Sequence, residues 1–234
     1  MEYKLNKPIC LITGASSGIG AKTASLLSNE SEHIYIVGRN IESLEITHDT
    51  IVKNNCNCTI VPLDITKDGV FNELAKNIYK KDGRIDILVS SAGIIEHLSP
   101  IDSIDESLFK KIVELNFISN FKLIKSFHYL LKQSEDARVL VVSYLAKKIG
   151  NQYWGIYQPI MHALNELIIT YAVENKNSNI KANLLCPGAV DTPFRNKIMP
   201  GEDKSNLLTV NTVAKKILEL TQNNLIETGK IYTI

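Results

Sequence analysis

Short runs of apolar residues alternate along the chain with longer stretches in which apolar positions return every three or four residues. Residues 9–13 form the first run, and residues 18–28 repeat apolar positions at helical spacing. The pair recurs as strand 34–37 with helix 41–52 and as strand 58–63 with helix 67–79. Strand 85–89 follows, bounded by turn signals at Asp82-Gly83 and Ala92-Gly93. Two long helical patterns cover 104–132 and 157–175, with strand 138–142 between them; strand 180–186, helix 210–220 and strand 230–234 complete the order. The runs are apolar at consecutive positions, so both faces of each strand are predicted to be covered, as in a parallel sheet lying between helices. Right-handed crossovers then predict an α/β, doubly wound parallel sheet of about seven strands, with ligands at the carboxyl ends of the strands. No repeat or linker divides residues 1–234, so a single domain is expected. The polar segment 194–205 (FRNKIMPGEDKS) is rich in turn formers and follows the sixth strand. It reads either as a surface loop or as a lid over a ligand, occupying about 193–206.

Composition narrows the class. Apolar residues are 44 % and charged residues 22 %, with a net charge of +1, so no long-range field recruits nucleic acid or an anionic membrane. The four cysteines include Cys56 and Cys58, but no second Cys or His pair stands at metal-ligand spacing, and His33, His48 and His128 show none either. No metal is expected, and the thiols read as buried or incidental in a reducing compartment. The first twelve residues are too short and too polar before their strand for a signal peptide, and no apolar run approaches the ~20 residues of a spanning helix. A cytoplasmic protein is expected.

The candidate chemistry begins where the first strand meets the first helix. There the chain reads Thr13-Gly14-Ala15-Ser16-Ser17-Gly18-Ile19-Gly20. Glycines let the backbone turn sharply and approach a pyrophosphate, and the helix N-terminus supplies free N–H groups and the positive end of its dipole. The spacing of the glycines differs from G-x-G-x-x-G, yet the strand-to-helix setting makes a dinucleotide site.

This turn resembles the cofactor motif of the short-chain dehydrogenase/reductase family, and the likeness runs over nearly the whole chain. Asp64 in Leu63-Asp64-Ile65-Thr66 matches the family's aspartate beside the adenine ring. Ser90-Ser91-Ala92-Gly93 stands where the family has N-N-A-G, Asn116 falls on the family's helix asparagine, and Pro187-Gly188-Ala189-Val190-Asp191-Thr192 resembles the segment bordering the nicotinamide. The resemblance implies a Rossmann fold and cofactor contacts from Gly14, Ser16, Ser17, Gly18, Ile19, Gly20, Asp64, Ala92, Gly93, Pro187, Gly188, Val190 and Thr192. It also implies a homodimer or homotetramer paired through the two long helices. At the end of the second strand the chain carries Arg39 rather than the acidic residue that accepts hydrogen bonds from a ribose 2′-hydroxyl. A guanidinium pairs bidentately with a 2′-phosphate, so NADP(H) is expected over NAD(H). Ser17 stands where some NADP enzymes have a second basic residue.

The family's catalytic pattern is incomplete here. The resemblance implies a tyrosine acid/base, a lysine one helical turn later that stabilises the phenolate, a serine that positions the substrate oxygen and an asparagine that supports a proton relay. Tyr157 and Asn116 match; the lysine position holds Met161, which can neither donate a hydrogen bond nor lower a phenol's pKa. The serine position falls on Tyr144, with Ser143 as the neighbour that could substitute if the loop shifts. Lys147 and Lys148 follow in the same loop, and His162 points about 100° around the helix from Met161. Tyr153 and Trp154 read as core or interface aromatics, and Glu96-His97 as a solvated pair near the site mouth. Arg195 and Lys197 read as surface groups or as partners for an anion. Three functions follow. One is an NADP(H)-dependent oxidoreductase acting on a small carbonyl or alcohol compound, with Tyr157 as proton donor, weakened ~10²–10⁴-fold by the missing lysine. The second is a catalytically silent NADP(H)-binding sensor or regulator. The third is a non-catalytic subunit.

Overall fold

The computed structural model describes residues 7–145 and 151–234. Its centre is a seven-stranded sheet in the order β3-β2-β1-β4-β5-β6-β7, every neighbouring pair parallel. The strands are β1 Ile9–Thr13, β2 His33–Gly38, β3 Asn57–Pro62, β4 Ile87–Ser90, β5 Ala137–Val142, β6 Ile180–Cys186 and β7 Ile231–Thr233. The helices are α1 Gly18–Leu27, α2 Ile41–Lys53, α3 Val70–Asp82, α4 Glu106–Val113, α5 Ser119–Lys132, α6 Tyr157–Glu174, α7 Pro193–Ile198 and α8 Val210–Leu220. This is the doubly wound Rossmann architecture that the alternating pattern predicts.

Consecutive strand residues serve two cores, which is why the runs are apolar throughout. Leu11, Val37, Leu88 and Val139 face α3, α5 and α6, where they pack with Phe71, Ile78, Leu123, Phe127 and Ile168. Cys10, Ile12, Ile36, Val89 and Leu140 face the other way, onto Ala24, Leu27, Leu44, Val213 and Ile217 of α1, α2 and α8. The order reverses between β1 and β4, so α1 and α5 cover opposite faces of the sheet and a crevice opens at the carboxyl ends of these strands.

Two segments differ from expectation. The pattern over 104–132 is not one helix: a 3-10 turn at Ile101–Ser103 precedes α4, and a π-helical turn at Glu114–Ile118 separates α4 from α5. The displaced carbonyls there find side-chain donors: Ser119 Oγ donates to Leu115 O, and Asn120 Nδ2 to Asn116 O at 2.8 Å. The polar stretch 194–205 is not a continuous loop either. Thr192 caps α7 through the Arg195 N–H, and Asp203 starts a 3-10 turn at Lys204–Asn206. Turn formers are also cap formers, which is why composition reads this stretch as a loop. Lys147 and Lys148 lie outside the described residues.

Candidate active site

A cavity of about 1110 Å³ opens at the crevice, large enough for a dinucleotide and a small molecule together. Its walls hold Gly14, Ser16, Ser17, Gly18 and Ile19 from the first turn, Arg39 and Asp64 beyond β2 and β3, and Ala92 and Gly93 beyond β4. Asn116, Ser143, Tyr157, Pro187, Gly188, Val190 and Thr192 complete the set of expected residues that line it. Gly20 lies behind the turn.

The glycine turn is built by close approach. Gly14 has φ +69°, and a Cβ there would stand 2.7 Å from Ala92 N and 2.8 Å from Ser91 O. A Cβ on Gly20 would stand 2.3 Å from Gly14 O. Gly18, at φ +53°, is the first residue of α1, where the helix presents its free N–H groups. Bare backbone next to an open helix end fits a pyrophosphate. Beneath it, Thr13 Oγ1 accepts from Ser91 N at 3.3 Å and meets Ser90 Oγ at 3.3 Å, and Ser90 donates to Asn120 Oδ1 at 2.7 Å. Ser90, where the family has asparagine, thus ties β1 and β4 to the π-helical turn.

Beyond β3 Asp64 Oδ1 accepts from Thr66 Oγ1 and Thr66 N at 2.7 and 3.1 Å, and these bonds, with Lys67 and Arg39 nearby, hold the carboxyl below its usual range. Arg39 is exposed and has no ion-pair partner among the described residues, the condition a 2′-phosphate requires.

At the other end Tyr157 begins α6, with Met161 and Asn165 following on one face at intervals of four residues. Met161 is 5 % exposed and belongs to the core, while His162 on the opposite side is exposed. Burial, Tyr144 and Cys186 push the Tyr157 phenol well above its ordinary value, and no hydrogen-bond partner reaches its hydroxyl among the described residues. Ser143 turns inward and donates to Asn165 Oδ1, while Asn165 Nδ2 donates to Tyr144 O at 3.1 Å. Asn165 therefore fixes the loop that carries the serine position. Its signal in the sequence was its spacing from Tyr157. Asn116 is 2 % exposed, and its amide exchanges two 2.8 Å bonds with the Ile94 backbone, clamping the loop after β4.

Trp154 lines the cavity rather than the core, and Tyr153 is half exposed. Tyr153 adopts φ +69°, and its carbonyl accepts from Ser99 N at 3.0 Å, which pins the loop and sets Trp154 beside Tyr144. Arg195 is engaged bidentately by Glu202 at 2.6 and 2.7 Å, so it does not await an anion. Glu96 is not simply solvated: Lys111 and Lys197 each donate to it at 2.7 Å, linking α4 to α7.

Those two bonds hold the Glu96 carboxyl at about 2, below its ordinary 4.5. The unfolded chain binds the proton more readily, so the pair stabilises the fold above pH ~4.5 and the contribution is lost as pH falls toward 2. Glu96→Gln is expected to lower Tm by at most about 2 °C at pH 7, with the gap closing by pH 2. A gap unchanged across that range would assign the loss to packing instead.

The family model for short chain dehydrogenases matches residues 8–203. An uncharacterized oxidoreductase of Saccharomyces cerevisiae is 30 % identical over 201 residues, covering 85 % of this chain and 77 % of its own length. The oxidoreductase YxjF of Bacillus subtilis is 24 % identical over 214 residues, covering 92 % and 83 %. Among solved structures, a short chain dehydrogenase of Escherichia coli complexed with NADPH superposes with a TM-score of 0.90 at 25 % identity, over 98 % of this chain and 97 % of that one. The sheet order, the crevice at its reversal and a family match across most of the sequence agree: the chain belongs to the short-chain dehydrogenase/reductase family.

Proposed function

We propose that the protein is an NADP(H)-dependent carbonyl reductase, slow by its family's usual mechanism, in which neutral Tyr157 donates the proton. The observation that carries this reading is that Gly14, Arg39 and Tyr157 line one cavity. The residues of the first turn, Gly14 to Gly20, would hold the pyrophosphate and Arg39 the 2′-phosphate. Asp64 would contact the adenine, with Ala92, Gly93, Pro187, Gly188, Val190 and Thr192 along the nicotinamide side. The NADPH complex of the Escherichia coli relative supports the choice of cofactor. When bound, the cofactor supplies the hydride.

The role of Tyr157 follows from its protonation state. Its phenol is pushed above the ordinary range chiefly by burial, and the buried thioether of Met161 stands where an ammonium would lower it. It stays protonated through neutral pH, able to donate to a carbonyl oxygen and poorly able to take a proton from an alcohol. The phenol is therefore in the form that serves carbonyl reduction, with Asn116 holding the adjoining loop and Ser143 bonded to Asn165. We assign this activity to the cytoplasm and to a homodimer or homotetramer.

Titration with NADPH and NADH tests the cofactor site, since Arg39→Ala is expected to weaken NADPH roughly tenfold to a hundredfold and leave NADH unchanged. Equal losses on both would remove Arg39 from phosphate recognition. The silent-sensor reading is favoured by Met161 and Tyr144 at the lysine and serine positions; it would prevail if tight NADPH binding came with no turnover of any reactive carbonyl compound.

A further inference from the structure

Four aromatic rings gather at the Tyr157 end of the cavity, contributed by separate parts of the chain. Tyr144 and Trp154 are parallel, with centroids 5.2 Å apart and planes 2° apart. Tyr157 tilts against them at 5.6 and 5.9 Å, and Phe194 of α7 leans on Tyr157 at 6.1 Å. All four line the cavity, so the wall they form faces the space a substrate would enter. Stacking on such a wall favours a planar aryl ligand over a saturated one of equal size.

Charge narrows the ligand further. The charged residues lining the cavity, among those described, are Arg39 and Asp64 at the cofactor end and Arg195 at the aromatic end. Both oxygens of Glu202 engage Arg195. Among the described residues, a carboxylate or phosphate on the ligand would therefore be desolvated at the aromatic end without an unpaired cation to receive it. Reactivity supplies the last constraint. With Met161 in place of an ammonium, the substrate oxygen that gains charge meets the Tyr157 O–H without a cation beside the phenol on α6. A carbonyl whose neighbour is a second carbonyl is more electrophilic and withdraws charge from that oxygen by itself.

We infer that the aromatic end receives a neutral, planar aryl vicinal dicarbonyl compound, such as an isatin, as the substrate of the reductase; the inference rests on that function for its hydride. A C–H bond breaks on the dihydronicotinamide and a new one forms at the ketone carbon, as the C=O π pair moves onto oxygen. That oxygen takes a proton from Tyr157, which water reprotonates. The products are the hydroxycarbonyl compound and NADP+, one of each per NADPH.

Trp154 is the only tryptophan in the chain, so its fluorescence reports this wall directly. The full chain is titrated, with and without NADP+, with isatin, with camphorquinone (a saturated vicinal dicarbonyl) and with phenylglyoxylate (an anionic aryl one). Quenching is corrected against free tryptophan. Isatin is expected to quench saturably, with a Kd at least about tenfold below the other two, and Phe194→Leu to weaken it fivefold to tenfold with the emission of Trp154 retained. With NADPH, isatin is expected to be consumed mole for mole. Equal affinity for camphorquinone, or tighter binding of phenylglyoxylate, would overturn the substrate class, as would isatin that binds and is never reduced. Isatin failing to bind a protein that takes up NADPH would overturn the substrate alone. A protein that quenches with isatin and binds no NADPH would overturn the reductase, and the substrate with it.

Discussion

Gly14→Ala is expected to abolish measurable NADPH binding and to destabilise the protein by about 2–4 kcal/mol. Two effects add at this position. The backbone sits at φ +69°, where an L side chain costs about 1–2 kcal/mol. The new Cβ would also stand 2.7 Å from Ala92 N and 2.8 Å from Ser91 C, backbone atoms of the loop after β4 that have no rotamer to change. Relief requires parting the loops of β1 and β4, and that moves the cradle itself. Gly69 provides the control, since it has φ +76° and nothing within 4 Å of its Cβ position. Gly69→Ala should therefore show the backbone cost alone and keep cofactor affinity. Thermal unfolding and NADPH titration of both variants make the comparison, with Tm expected to fall by about 4–16 °C for Gly14→Ala. Two variants that behave alike would mean that the contact between the loops does not shape the site.

Met161→Lys combined with Tyr144→Ser is expected to raise carbonyl reduction by up to ~10²–10⁴-fold. The lysine would stand one helical turn from Tyr157 on the same face of α6, where an ammonium lowers the phenol's pKa and stabilises its ionised form. The serine would supply the hydroxyl that Ser143, turned toward Asn165, does not present. Oxidation of alcohols should gain alongside reduction, because both directions pass through the same transition state. The change has a cost without cofactor. Position 161 is 5 % exposed, so burial pushes the new ammonium's pKa below its unfolded value. The unfolded state then binds more protons, and the variant should lose stability at neutral pH and recover it as pH rises. NADPH should offset part of this loss by giving the ammonium a ribose to contact. Steady-state rates in both directions and Tm against pH check the two halves separately. No gain in rate by a variant that still binds NADPH would show that the missing lysine is not what limits turnover.

Much of this architecture is written locally. The strands are consecutive apolar runs because each residue must be buried on one face of the sheet or the other, and the turn before α1 carries Gly14 because only a glycine permits its approach to Ala92. The family resemblance rests on the same local features, and the residues it points to from Gly14 to Thr192, Gly20 apart, come together around one cavity. Other features depend on partners far away in sequence. The break at Glu114–Ile118 is invisible to a helical repeat, since it shifts the pattern by a single residue and is satisfied by side chains that suit a regular helix equally well. The helix α7 is hidden by cap-forming residues, and the engagement of Arg195 by Glu202 depends on the turn that follows it.

The sequence by itself determined a parallel sheet with a glycine turn after its first strand, and the absence of a lysine four residues after Tyr157. Periodicity, glycine placement and side-chain chemistry are properties that each residue carries wherever it lies. Only the tertiary structure decided that Ser143 faces Asn165, that Glu96 joins two lysines, and that Tyr144, Trp154, Tyr157 and Phe194 form one wall. Those relations are distances between elements brought together by the burial of both faces of the sheet, and no local pattern encodes them.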